Sequence, residues 1–480
     1  MGSLDKKILV TGRFNVLHAG HIRILKFAKE LGGKLIVGVE SDRLAGEHAY
    51  VNENLRLEGV SCNSWVDESF IFDQSITDLV LDLKPNVIVK GKEHELSYNP
   101  EQATVVTYGG QLLFSSGENI FSSVDLIRKE FFSSSADTIN LPKEFFERHC
   151  IKQQRLVNIL KSFSDLKVCV VGDLIIDEYI TCQPLGMSQE DPTIVVTPID
   201  KTKFIGGASI VAAHAAGLGA NVDFISVTGD DEARIFAVDE LANAGVSSSL
   251  LIDHSRPTTL KQRFRSKGKS LLRVSYLHQG AISLDLQKKI LAEIEKKINK
   301  IDLFVFSDFN YGCLPQPMVE QIISLLNGKN ITLVADSQSS SQFGDIGRFK
   351  GMDMITPTEH EARISTRDQE AGLVVLADIL KQNSNARNIL LKMGEEGLLI
   401  HAEDPNSPQW LTDRIDALNT SPRDVAGAGD SLMITAAMTM ACGGNIWEAA
   451  GLGSIAAAIQ VGRVGNTPLK IEEFLKELSR

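Results

Sequence analysis

The stretch Lys7-Ile8-Leu9-Val10-Thr11-Gly12-Arg13-Phe14-Asn15-Val16-Leu17-His18-Ala19-Gly20-His21 decides the fold of the N-terminal part. An apolar run stops at a glycine, a short polar loop follows, and a helical pattern opens with two histidines three apart. That is the order strand, loop, helix. Lys34–Val39 repeats the apolar run as a second strand. Ser75–Leu83 reads as a helix, Asn86–Val89 as a strand, and Ser122–Phe131 as a closing helix introduced by serines. Strands alternating with helices predict a parallel sheet with crossover helices.

A second punctuated stretch lies near the other end: Asp424-Val425-Ala426-Gly427-Ala428-Gly429-Asp430-Ser431, followed by a helix over Ser431–Ala441. Between the two, Lys167-Val168-Cys169-Val170-Val171-Gly172-Asp173 begins a new α/β unit. Thr193–Phe204 and Thr259–Tyr276 alternate apolar and polar residues, which predicts a small accessory sheet. Leu303–Phe306, Thr332–Ala335 and Asn388–Leu391 read as further strands. The expected organisation is a Rossmann-like domain over 1–131, a helical connector over 132–165, and a second α/β domain with a small β-sheet flap over 166–480. A chain of 480 residues is too long for one ordinary core.

Composition narrows the function. Apolar residues make up 43% and charged residues 23%, as in ordinary globular proteins. The net charge of −12 offers no basic field for a nucleic-acid backbone. Small phosphate esters remain available, because local amides and single cations hold them. The six cysteines form no C-x-x-C pair, so a zinc site or a redox dithiol is not expected. No apolar run reaches the ~20 residues of a membrane span, and Ala449 to Gly462 reads as a buried helix. A cytoplasmic protein with no membrane partner is expected.

At the first site, His18 and His21 share a face at a helix start, just beyond the carboxyl end of a strand, where open α/β sheets bind ligands. The helix terminus supplies free N–H groups, and Gly20 leaves room for a phosphate chain. Imidazoles there can stabilise a leaving pyrophosphate; alternatively they are ordinary histidines near a cap. At the second site the loop Gly427-Ala428-Gly429 aims amides at an anion, and Asp430 at the helix start is placed to take a proton from a substrate hydroxyl.

These segments carry two resemblances. His18-Ala19-Gly20-His21 resembles the H-x-G-H signature of the cytidylyltransferase-like nucleotidyltransferases, in particular the branch that makes nucleotide-activated heptoses. The resemblance covers about residues 6–131. It implies a nucleotide site built on Gly12, Phe14, Gly20, Lys90, Gly91, Ser122 and Ser123. Asn15 stands where that family usually has Asp. The segment Gly427-Ala428-Gly429-Asp430 resembles the G-A-G-D signature of the ribokinase-like PfkB sugar kinases, over about residues 167–475. It implies Asp430 as base and Gly427, Ala428 and Gly429 as anion hole. It also implies Asp173, Asp177, Gly206 and Gly207 against the sugar, Glu361 organising magnesium, and Lys392, Gly394 and Gly397 on the nucleotide side. Ser188-Gln189-Glu190-Asp191-Pro192 and Thr259-Leu260-Lys261-Gln262-Arg263 are most similar to the heptose-7-phosphate kinase domain. There Lys261, Arg263 and Arg273 would grip a phosphate already on the sugar, or else decorate a solvated ribbon.

Together the resemblances imply a bifunctional enzyme, with its halves in the opposite order to the familiar heptose enzyme. It would use Mg²⁺, ATP and a second nucleoside triphosphate (ATP, CTP or GTP). It would act on a small sugar phosphate and pair as a homodimer through its β-rich segments.

Overall fold

The computed structural model describes residues 6–15, 17, 19–46, 49, 51–91, 94, 98–115, 139–266, 269–338, 344–403 and 410–479. His18, Ser122, Ser123 and the helix expected over Ser122–Phe131 lie outside the described residues. The chain divides into two compact units: Met1–Ala136 with Asp368–Ile379, and Asp137–Arg367 with Leu380–Arg480.

The first unit holds five strands: β1 (Lys7–Gly12), β2 (Lys34–Glu40), β3 (Glu68–Phe72), β4 (Val87–Gly91) and β5 (Gln111–Ser115). Their order is β3-β2-β1-β4-β5, and every pairing is parallel. Strands covered on both faces need continuous apolar runs, which Ile8-Leu9-Val10 and Leu35-Ile36-Val37 supply, all of them buried. β1 is central, and the winding reverses between it and β4, so the loop after Gly12 opens at a topological switch point. Helix Ala19–Glu30 follows that loop. Helix Ile76–Leu83 is capped by Ser75, whose hydroxyl accepts from the Asp78 amide at 3.1 Å. β3 and β5 add two strands to the three read from sequence.

The second unit is built on β6 (Lys167–Gly172), β7 (Leu174–Met187), β8 (Ile194–Gly207), β9 (Asn221–Thr228), β10 (Ser247–Ile252), β11 (Thr259–Ser266) and β12 (Lys269–Tyr276). It continues with β13 (Leu303–Asp308), β14 (Thr332–Ser337), β15 (Met354–Ile355), β16 (Asn388–Lys392), β17 (Leu398–Glu403) and β18 (Trp410–Ile415). The main sheet runs β10-β9-β6-β13-β14-β15-β16-β17-β18. It is parallel up to β16, and β17 and β18 turn back antiparallel. The expected accessory sheet is present as β12-β11-β7-β8. β7, which the sequence reading did not identify, joins that sheet and pairs with β8 along nearly its full length.

Helices Ala428–Ala441 and Ile446–Val461 are apolar around most of their circumference and are buried in the core of this unit. The segment expected as a connector over 132–165 behaves differently. Helices Lys143–Arg148 and Gln153–Ser162 put Phe145, Leu156, Ile159 and Leu160 into that same core. Apolar residues at helical spacing made the second of these helices legible near 152–163; the first, and the core both join, were not.

Candidate active sites

The second unit gathers its charged groups where β14, β16, the Gly427 loop and the accessory sheet converge. Helix Ala428–Ala441 starts from Gly427, whose φ of 76° is a left-handed conformation that glycine adopts without strain. A side chain there would also meet Asn466 Oδ1 at 2.3 Å. Asp430 lies in the first helical turn and is buried, and its Oδ1 has no hydrogen-bond partner among the described residues. Burial first, then the Asp336 carboxylate, push its pKa up to about 7, against the pull of Lys392; Asp177 and Lys261 also act on it. A carboxylate poised there suits a general base working near neutral pH.

Lys392, at the end of β16, was expected on the nucleotide side. It reaches further: its Nζ lies 2.9 Å from Asp336 Oδ2 in a buried ion pair, and a methyl on Gly429 would sit 3.2 Å from it. The ammonium is thus set beside Gly429 in the loop that opens the helix. Burial opposes its charge, but Asp336 and Glu361 outweigh burial and its pKa is raised. Glu361 opens helix Glu359–Thr366 in a reciprocal cap. Its Oε2 accepts from the Thr358 amide at 2.7 Å and its own amide donates to Thr358 Oγ1 at 3.2 Å. Gly394 (φ 61°) and Gly397 (φ 92°) make the turn after Lys392, and Gly397 is packed too tightly against Ile415 O for any side chain.

Asp177, on β7, is buried and ion-paired with Arg263 at 3.4 Å. A side chain on Gly206 would meet Asp177 Oδ2 at 2.4 Å, and Gly207 needs its φ of 58° to turn β8 into helix Ala208–Gly217. Cross-strand register puts Lys261 opposite Asp177, Arg263 opposite Tyr179 and Arg273 opposite Arg263. Alternation in a strand places Lys261, Arg263 and Arg265 on one face, with Arg273 beside them. Lys261 lies over the Phe309 and Tyr311 rings at 5.7 and 5.1 Å. Arg273 is exposed, unlike the half-buried Lys261 and Arg263.

Asp173, expected against the sugar, accepts the backbone amides of Phe309, Tyr311 and Cys313 at 2.9, 3.3 and 3.1 Å. It fixes the loop after β13. Burial and the nearby Asp308 raise its pKa to about 6 against those three bonds. Sequence reading missed Asp336, Arg265, Tyr179 and Asp424. Arg265 lay in a β segment already read and Asp336 one residue past a strand read as Thr332–Ala335, and register is what brings them to the site.

In the first unit, a cavity of about 780 Å³ opens at the carboxyl ends of β1 and β4. Gly12, Phe14, His21, Lys90, Gly91 and Glu101 are among the residues that line it. Phe14 takes a left-handed φ of 51° and lays its ring 5.1 Å from that of His21. Gly20 lies in the first turn of helix Ala19–Glu30. Lys90 is ion-paired with the fully buried Glu101 and donates to Asn99 Oδ1 at 3.0 Å. The side chain of Arg56, inaccessible to solvent, donates to the carbonyls of Arg13 and Val51 and to Asp42, holding the loop after β1 in place.

A nine-stranded α/β sheet, a strand flap over a glycine-rich helix terminus and a buried carboxylate define a phosphotransferase-type site. Residues 165–472 match the family model described as pfkB family carbohydrate kinase, and the chain belongs to that family. Residues 9–136 match the model described as cytidylyltransferase-like. The chain is thus an enzyme with a carbohydrate kinase domain and a nucleotidyltransferase-like domain.

It is similar to the bifunctional protein HldE of Desulfatibacillum aliphaticivorans, 30% identical over 321 residues, covering 66% of this chain and 64% of that protein. It is also similar to HldE of Pseudomonas aeruginosa, 30% identical over 325 residues, covering 66% and 65%. The chain therefore spans slightly less than two thirds of the length of these relatives. Two solved structures share the kinase fold. The ribokinase of Arabidopsis thaliana, complexed with ribose and ATP, has a TM-score of 0.52 at 16% identity and covers 66% of this chain and 99% of its own. The ribokinase of Thermotoga maritima has a TM-score of 0.51 at 20% identity and covers 65% and 99%. Among the described residues no helix is long and apolar enough to cross a membrane.

Proposed function

We propose that the chain is a bifunctional enzyme: a kinase for a sugar phosphate, best fitted to a heptose 7-phosphate, joined to a nucleotidyltransferase that uses the resulting sugar 1-phosphate. The observation that carries the kinase step is Asp430, buried at a helix N-terminus with an unpartnered oxygen and flanked by Lys392 and the cations of β11. Asp430 takes the proton of the anomeric hydroxyl as that oxygen bonds to the γ-phosphorus of ATP and ADP leaves. The amides of Ala428 and Gly429, with Lys392, neutralise the charge on the transferred group. Lys261, Arg263 and Arg273 hold the phosphate already on the sugar.

Among the described residues no cluster of three or more His, Cys, Asp or Glu side chains could cage a metal alone. That suits Mg²⁺, which is held mainly by phosphate oxygens and water with one or two carboxylates; Glu361 and Asp336 are the hard oxygen donors in reach. Magnesium would neutralise charge on the β- and γ-phosphates.

In the second step an oxygen of the sugar 1-phosphate attacks the α-phosphorus of a nucleoside triphosphate, and pyrophosphate leaves. His21, with His18, stabilises that leaving group. Gly12, Gly20, Gly91, Ser122 and Ser123 line the nucleotide's path. This reading includes the order of halves reversed relative to the heptose enzyme. It also includes a homodimer, supported by Leu185, Met187, Ile194, Ile199 and Leu272 exposed on the accessory sheet.

A second reading has a specific observation behind it. The charge of Lys90 is already offset by buried Glu101, and Asn15 supplies no carboxylate, so the first unit would bind nucleotide without turning it over. The deciding experiment incubates the protein with Mg²⁺, each nucleoside triphosphate and heptose 1-phosphates, and follows pyrophosphate. Release with one triphosphate supports the bifunctional reading. Silence, with ADP still formed from heptose 7-phosphate and ATP, leaves the kinase with a nucleotide-binding first unit.

A further inference from the structure

Asp424 begins the Gly427 loop, six residues before the base, yet its carboxylate faces the accessory sheet. Its Oδ2 accepts the Tyr179 hydroxyl at 3.0 Å and the Gly465 amide at 3.2 Å, and lies 3.7 Å from Arg265 Nη1. Its Oδ1 accepts the Ala426 amide at 3.1 Å. Gln460 Nε2 ties the same piece together by donating to the carbonyls of Ala426 and Gly465 at 3.2 and 3.0 Å. Residues 424, 426 and 465 are thus tied together, and Asp424 links them to β7 and β11.

The other end of the link is a clamp. The buried ring of Tyr179 lies 5.5 Å from the Arg263 guanidinium and 4.8 Å from that of Arg265. Both cations share the strand face that holds Lys261. An anion bound on that face would bridge the two guanidiniums that overlie the ring and so restrain it. It also relieves Asp424 of the charge of Arg265, leaving the Tyr179 hydroxyl as its tie to the sheet.

We propose that Tyr179 and Asp424 are a positioning pair that couples the anionic group of the sugar substrate to the setting of the Gly427–Gly429 anion hole. The distal phosphate of the substrate then does more than bind: its engagement on β11 orders the amides that receive the γ-phosphoryl group. Binding energy from a non-reacting part of the substrate appears in turnover. This rests on the kinase reading for a phosphorylated sugar given above.

Steady-state kinetics of the full chain test it, with Mg²⁺ and ATP and either heptose 7-phosphate or unphosphorylated heptose as acceptor. Loss of a hydrogen bond to a charged group predicts that Tyr179→Phe lowers kcat for the phosphorylated sugar about tenfold. KM should stay within about threefold of the wild-type value. The wild type should lose a similar factor in kcat when the distal phosphate is missing and regain part of it on addition of inorganic phosphite. In Tyr179→Phe neither the missing phosphate nor added phosphite should change kcat. The proposal is overturned if Tyr179→Phe raises KM alone, or if the two losses multiply independently. Should Tyr179→Phe melt below the assay temperature, Asp424→Asn takes its place, and a wild-type response to phosphite in that variant also overturns it. Absence of ADP with both sugars in the wild type is a different failure, since it removes the kinase reading itself.

Discussion

The two sites, each opening at a helix N-terminus, distribute their charges in opposite ways. In the second unit, buried charges are set against one another around an open carboxylate. Lys392 answers Asp336, Arg263 answers Asp177, and Asp430 is left short of a partner. In the first unit, Lys90, a cation on the cavity wall, is already matched by Glu101 and Asn99, and the histidine of the first helical turn rests on Phe14. A site with an unmatched group is ready to take a proton. A site whose charges are matched must exchange partners before it acts. The same fold class therefore does not fix readiness; the residual charge does.

The largest expected effect separates the sites outright. Asp430→Asn should cut ADP formation by about 10²–10⁴ while leaving pyrophosphate release unchanged in coupled assays of each half. His21→Ala should do the reverse, lowering pyrophosphate release by about 10²-fold with kinase rates intact. If either variant stops both reactions while its melting curve is unchanged, the contrast between two independent sites is wrong.

A pH profile sharpens the comparison. The pKa of Asp430 is raised to about 7, and a base works deprotonated, so kinase kcat/KM should rise with pH to about 7 and level off above it. A flat profile between pH 5 and 8 would deny Asp430 that role. The same group leaves a mark on stability. A carboxyl whose folded pKa is raised stabilises the fold while protonated, and that contribution is lost as pH rises through about 7. Asp430→Asn should therefore melt a few degrees above wild type at pH 8, with the gap narrowing as pH falls below 7 and closing only below about pH 4, where the unfolded carboxyl is protonated too.

Next in size is the contrast within β11 and β12. Arg263→Ala should raise KM for the phosphorylated sugar about tenfold, and the exposed Arg273→Ala only about twofold, both read from initial rates. Equal effects would place the phosphate nearer the ribbon edge than the half-buried cations suggest. The smallest effect is on assembly. Leu272→Asp, on the exposed face of the accessory sheet, should shift the light-scattering mass from two chains to one. An unchanged mass would sink the pairing through that sheet.

Much of this was legible because its signals are local. Gly427-Ala428-Gly429-Asp430 announces a turn, a helix start and an acid within four residues. Lys7–Gly12 announces a buried strand by its apolar run. What escaped was long-range. Lys392 and Asp336 are 56 residues apart and meet only through the order of β14, β15 and β16. The Tyr179–Asp424 bond spans 245 residues. The three amides that Asp173 accepts, 136 to 140 residues away, carried no sequence signal either.

Helices Lys143–Arg148 and Gln153–Ser162 set where this chain tolerates being cut. A kinase fragment begun at residue 166 would strip Phe145, Leu156, Ile159 and Leu160 from the interior and leave their seats open to water. Each lost large side chain costs about 2–5 kcal/mol, enough in sum to exceed the whole margin of an ordinary domain. A break just before residue 137 keeps those four residues with the core they fill.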